Sequence, residues 1–210
     1  MRHSGFIGLV ALVSLLPTVS ARAQAPVTDS TGFRAGQWGA EFSLGTSAVS
    51  PTGAGVLRFH SARRALVLDV SGQVSRQSGD VPGTQTQSAA RLRLGTRWYR
   101  PVSRSVLQSL TLGVLVSREQ RELRSVSLLQ GPSAQTRSTS TGGGGFAEVG
   151  GSWLVTPQLS LGAAWQGNVL YARGTQRTVL ADPALLSPDV RTTLWSASLG
   201  TLVLRAGVYF

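Results

Sequence analysis

The chain has 210 residues with no cysteine, 20 arginines as its only lysine-or-arginine type, 9 acidic residues and 25 glycines, for a formal net charge of +11. Zero cysteine excludes disulfide frameworks, thiolate zinc sites and thiol nucleophiles, and His3 and His60 alone cannot build a multi-histidine metal centre. Charged residues are 14% of the chain, against about 25% in a typical soluble domain. Hydrophobic residues nonetheless reach only 41%, too few for a bundle of membrane helices.

Residues 1–23 read as a signal peptide. Arg2 and His3 precede an apolar run from Phe6 to Leu16, and Ala21-x-Ala23 supplies the small residues that a signal peptidase reads. The run is shorter than the roughly 20 residues of a membrane-spanning helix. Cleavage after Ala23 removes Arg2 and Arg22, so the charge falls from +11 to +9. No cysteine follows the site to carry a lipid. Residues 24–36 read as a flexible leader, and residues 37–210 as a single β domain.

From Trp38 onward the apolar residues recur with period two, because successive side chains of a strand point to opposite faces. Trp38, Ala40, Phe42 and Leu44 form the first apolar face. Gly55, Leu57 and Phe59 form the second, with Arg58 and His60 opposite. Leu66, Leu68, Val70 and Val74 form the third, opposite Asp69; Leu92, Leu94 and Trp98 the fourth, opposite Arg91, Arg93 and Arg97. Leu110, Leu112, Val114 and Val116 give the fifth, and Ala147, Val149, Trp153 and Val155 the sixth, opposite Glu148. Leu159, Leu161, Trp165, Val169 and Tyr171 give the seventh. Leu202, Leu204, Val208 and Phe210 give the eighth, opposite Arg205. Near Trp195 the phase breaks, which points to a bulge.

The connections alternate in length. Residues 61–64, 100–105 and 156–158 are short, whereas 46–53, 76–88, 118–143 and 174–190 are long and rich in Gly, Pro, Ser, Asp and Gln, as exposed loops are. Ser138 to Gly145 is low-complexity and reads as mobile. Eight strands of about 9–11 residues, joined in this way, suit an antiparallel up-and-down barrel that crosses a bilayer with tilted strands.

The charge pattern says which face is outside. An eight-stranded barrel has room inside only for side chains. The polar faces carry Glu41, Arg58, Asp69, Arg91, Arg93, Arg97, Glu148 and Arg205, which can pair across a lumen. Trp38, Phe59, Trp98, Trp153 and Phe210 fall at the strand ends beside the short turns, the position of an interfacial aromatic girdle. The apolar face therefore meets lipid, and the fold expected is a transmembrane barrel.

On these features the chain resembles the small outer-membrane β-barrels of OmpA/OmpX type, at the level of class. The resemblance covers about Trp38 to Phe210 and rests on the export signal, the eight strands, the alternating short and long connections and the terminal aromatic. It implies location in the cell outer membrane, with short turns periplasmic and long loops outside. It also implies that Val208 and Phe210 are read by the outer-membrane insertion machinery. The family's frequent glycine five residues before the end is Arg205 here, and a glycine stands at 207.

Three functions compete. A lipid-modifying enzyme would need a base near a nucleophile, but His60 beside Ser61 lies at the periplasmic rim. Asp80, Glu119, Glu122, Asp182 and Asp189 have no paired spacing. An anion-permeable pore would use the surplus of lumen arginines over lumen acids. Surface interaction through the external loops would use Arg118, Arg121, Arg124 and Arg137, whose guanidiniums suit the phosphates of lipopolysaccharide. The reading favoured is a non-enzymatic barrel with a structural or surface-interaction role. It has no cofactor or metal, no nucleic-acid partner, and is a monomer.

Overall fold

The computed structural model describes residues 32–45, 52–78, 83–125, 134–180 and 189–210. The signal segment, its cleavage site and most of the leader lie outside these, as do Asp80 and Asp182. Eight strands follow in order: β1 (Trp38–Gly45), β2 (Thr52–Ser61), β3 (Arg64–Ser78), β4 (Gly83–Pro101), β5 (Val106–Ser125), β6 (Ala134–Thr156), β7 (Leu159–Leu180) and β8 (Val190–Tyr209). Each strand pairs with the next, and β1 closes on β8, so the sheet is one closed barrel. Closure is completed by reciprocal backbone bonds, Trp38 N to Phe210 O at 3.0 Å and Phe210 N to Trp38 O at 2.9 Å. A closed ladder leaves no open edge along the strands it joins.

The barrel is inside-out relative to a water-soluble one. Phe42, Leu68, Leu94, Val114, Leu161 and Leu204 are 44–60% exposed, whereas Glu41, Asp69, Arg93, Arg97 and Glu148 are 1–7% exposed. A continuous outward apolar surface of this kind suits lipid rather than water.

The strands run from 8 residues in β1 to 23 in β6, longer for the most part than the expected 9–11. Much of what reads as long loop in the sequence is strand. Residues 118–125 continue β5, 134–143 belong to β6, and 174–180 extend β7. The low-complexity segment from Ser138 to Gly145 is regular β6, paired residue by residue with β5 and β7. Its run of glycines has weak strand preference of its own, but a ladder on both edges fixes the backbone. The tall wall is formed by β4 to β8, and the β1–β2 hairpin is its low side.

Two local departures matter for the site. In β2 the inward residues are Gly53, Gly55, Leu57 and Phe59, and Val56 and Arg58 face outward. The phase expected from the sequence is the reverse, because it assigns the larger apolar residues to lipid. At this end of the lumen the interior itself is apolar. In β8, Thr201 pairs with Gln166 and Leu199 with Gly167, so Gly200 is a bulge residue. Its φ of +101° is a conformation that favours glycine. The bulge switches the phase, so that Trp195 lies outward and packs on Tyr171 with ring centroids 4.8 Å apart.

Candidate functional site: the lumen network and the two arginine rims

The lumen-facing side chains of β1, β3, β4, β6 and β8 meet in one ion-pair network. Arg93 donates from Nε to Asp69 at 3.0 Å and from Nη1 to Gln166 at 2.5 Å. Arg97 donates from Nε to Thr111 at 2.9 Å and from Nη1 to Glu41 at 2.5 Å. Glu148 sits at the centre. It accepts from Arg205 and from the Thr111 hydroxyl, and lies 3.7 Å from Arg97 and 3.8 Å from Arg93. Thr111 and Gln166 are visible on the polar faces of the sequence pattern, but nothing there marks them as partners.

Two of the expected members are elsewhere. Arg58 is not a lumen residue: it faces outward with its guanidinium 5.3 Å from the Trp38 ring. Arg91 takes the inward face next to Ser71 and Ser117, half-buried and outside the network. The network therefore has three guanidiniums facing three carboxylates and is formally neutral. Of the five arginines expected inside, on whose surplus an anion path would depend, only Arg91 remains there in excess of the network's carboxylates.

Below the network the lumen has an aromatic floor. Phe59 belongs to it rather than to the outer girdle, and is fully buried. Its companions are Tyr99, Tyr209, Leu57 and Leu107, together with Phe33 from the leader. Phe33 lies 4.3 Å from the Phe59 ring, 4.7 Å from Tyr209 and 5.2 Å from Tyr99. Backbone bonds from Gly36 N to Phe59 O at 2.7 Å and from Phe59 N to Gln37 O at 2.9 Å hold the segment in place. The last part of the leader is thus packed, not free, and its only trace in the sequence is one aromatic in a polar stretch. Phe146 is a further lumen residue that the sequence pattern does not reveal. It lies inward against Gly95 and Gly113, where an added Cβ would come within 3.1 and 2.7 Å of its ring, and Arg93 stands 5.5 Å above it.

On the outer surface Trp38, Trp153 and Phe210 are well exposed and Trp98 is half-buried, all beside the short turns. Val208 and Phe210 both face outward at the closing seam. His60 is exposed at this rim and does not face the lumen. At the opposite end Tyr171 and Trp195 lie on the outward face of β7 and β8, with Trp165 on the same face midway along β7. The stretch of β7 from Leu159 to Tyr171 rises about 30 Å at a strand tilt near 40°, the depth of a bilayer's hydrocarbon core.

Beyond this band stand the other arginines. Arg118, Arg124 and Arg137 occupy outward positions on strands, not loops, in phase with Val116 and Val149. Arg121 takes the inward phase and bonds Gln85 at 3.1 Å. Arg173, Arg177 and Arg191 share the outward face on β7 and β8. Arg173 donates to the Tyr171 hydroxyl at 2.9 Å. Glu122 is bonded by Arg124 at 2.7 Å, which holds its carboxyl below the ordinary carboxylate range. Asp189 lies 4.0 Å from Arg177. The outward collar is cationic in excess.

No family model and no curated relative matches the sequence. Solved structures match it in fold. A major outer membrane protein from Thermus thermophilus aligns with a TM-score of 0.54 at 12% identity, over 83% of this chain and 98% of that one. Ail, the attachment invasion locus protein of Yersinia pestis, gives 0.42 at 11% identity, over 83% of this chain and 94% of its own. CarO2 of Acinetobacter baumannii gives 0.45 at 9% identity, over 83% and 98%. At such identity the likeness is one of fold: this chain has the small closed β-barrel architecture of the Thermus outer membrane protein.

Proposed function

We propose that the chain is an exported, monomeric barrel of the cell outer membrane with no catalytic step of its own. Its lumen is sealed, and its work is done at the outer rim, where outward arginines hold the phosphates of lipopolysaccharide. The observation that carries this reading is the position of Arg118, Arg124, Arg137, Arg173, Arg177 and Arg191. Arg118 and Arg173 stand one outward step beyond the apolar band and the Tyr171–Trp195 pair, at the level of lipid headgroups, and Arg191, Arg124, Arg137 and Arg177 continue the same outward face farther from the band. Guanidiniums bind phosphate through paired N–H donors. The exposed Val208 and Phe210 suit recognition by the insertion machinery. A sealed lumen is supported by the neutral network above the aromatic floor.

Replacing Arg118, Arg124 and Arg137 by Gln is expected to weaken binding to lipopolysaccharide micelles about tenfold, from exposed contacts of roughly 0.2–1 kcal/mol each. Arg121→Gln is expected to change binding little, since that side chain points inward. Unchanged binding in the triple variant rejects the collar, and an equal loss with Arg121→Gln moves the site to the lumen mouth. In planar bilayers no steady conductance is expected, and a clear anion-selective step would refute the sealed lumen.

A further inference from the structure

The short-turn rim carries a second cationic surface that the outer collar does not account for. Arg34, Arg58, Arg63, Arg64, Arg100 and Arg104 all lie at this end, on or next to β1 to β4. The described side-chain carboxylates are all used elsewhere: Glu41, Asp69 and Glu148 in the lumen, and Glu119, Glu122 and Asp189 at the opposite end. The β6–β7 turn on the far side of the rim, Thr156-Pro157-Gln158, is uncharged. The charge is therefore on one side.

Three of these arginines leave the strands sideways instead of pointing down into the aqueous turns. Trp38 pairs directly with Arg58, and Arg58 with Leu66. One outward step lower on β3, Arg64 pairs with Trp98, and Arg100 follows Trp98 on β4. Directly paired residues on one face lie about 5 Å apart and diagonal neighbours about 7–8 Å, so Arg64 is a diagonal neighbour of both Arg58 and Arg100, and the three form one outward cationic patch across β2 to β4. All three are exposed, and among the described residues none has an ion-pair partner. Two tryptophans flank them, one already covered by the Arg58 guanidinium at 5.3 Å. An aromatic at headgroup depth beside a lateral cation is a surface for a lipid with a charged head.

We infer that Trp38, Arg58, Arg64, Trp98 and Arg100 form a binding surface for anionic phospholipid of the leaflet facing the short turns, with the headgroup phosphate drawn to the cationic patch that Arg64 centres between the two tryptophans. A zwitterionic lipid carries its own ammonium near the phosphate and binds less well. The inference rests on the membrane placement proposed above but not on the outer collar.

The test uses the five tryptophans. In a chain with Trp153, Trp165 and Trp195 changed to Phe, only Trp38 and Trp98 emit. This chain is reconstituted in phosphatidylcholine vesicles containing equal small fractions of brominated phosphatidylglycerol or brominated phosphatidylcholine. Quenching by the phosphatidylglycerol is expected to exceed that by phosphatidylcholine severalfold, reflecting local enrichment by clustered arginines near the surface. Adding Arg58→Gln, Arg64→Gln and Arg100→Gln should abolish the preference, while Arg118→Gln, Arg124→Gln and Arg137→Gln should leave it intact. The first comparison needs no arginine variant, so it stands even if the triple variant does not fold. Equal quenching by the two lipids, or a preference that survives the triple variant, overturns the site. Binding of soluble muropeptides to these arginines without any lipid preference would assign them instead to a cell-wall carboxylate. A chain that does not enter vesicles of either lipid refutes the membrane placement itself, a result distinct from a reconstituted barrel without preference.

Discussion

Glu148 is the most informative residue to remove. Its carboxylate is 1% exposed and is shared by Arg205, Arg97, Arg93 and the Thr111 hydroxyl. At 3.7–3.8 Å and an effective dielectric of 20, each of the two longer pairs is worth about 4 kcal/mol in Coulomb energy before desolvation. Desolvation of the ions offsets much of that. Glu148→Leu leaves three guanidiniums facing two carboxylates, and an uncompensated buried charge costs about 3–5 kcal/mol. Removing Arg205 as well restores the balance at two and two. Replacing a whole buried pair by apolar groups is often nearly neutral, so Glu148→Leu with Arg205→Leu should recover at least ~2 kcal/mol of the loss. The assay is urea unfolding of the reconstituted barrel, followed by tryptophan fluorescence and by the heat-dependent mobility shift on gels. A Glu148→Leu barrel within about 1 kcal/mol of wild type, or a double variant no more stable than the single, would refute the argument that charge balance holds the lumen together.

Phe33→Ala removes a buried ring from the aromatic floor and should cost about 3 kcal/mol; limited proteolysis should then cut near residue 34, a site protected in the wild-type chain, and equal protection would show that the ring does not anchor the leader. Gly200→Ala places a Cβ at φ +101° and 3.0 Å from the Trp165 ring, which should lower stability by about 1–3 kcal/mol in the same urea assay; no change would mean that the bulge relaxes freely.

The strand pattern is legible wherever one face of a strand is uniformly apolar. Leu66, Leu68 and Val70 in β3, and Leu92 and Leu94 in β4, announce their phase because lipid-facing positions admit little else. The same rule fails for β2. Leu57 and Phe59 are apolar yet inward, since hydrophobicity cannot distinguish the aromatic floor of a lumen from the surface around it. Arg58 is assigned to the wrong face along with them. The long loops fail for a related reason: Ser138 to Thr141 and Arg173 to Thr178 carry no apolar alternation, because neither face is buried in lipid beyond the outer rim. Their strand structure comes from the neighbouring ladders.

By itself, the sequence determined the class of object: an even set of two-faced segments, alternating short and long connections, no thiol, and too few histidines for a multi-histidine metal centre. Period and composition are local properties, and they follow from which side chains a strand can present to two different surroundings. Only the tertiary structure decided which charges meet. Glu148 finds Arg97, Arg93 and Arg205 across 51, 55 and 57 residues of chain, and such pairings depend on closure and register rather than on any local pattern. The same closure sent Arg58 out to Trp38 and drew Phe33 in from the leader, dividing the arginines between a neutral interior and two cationic rims.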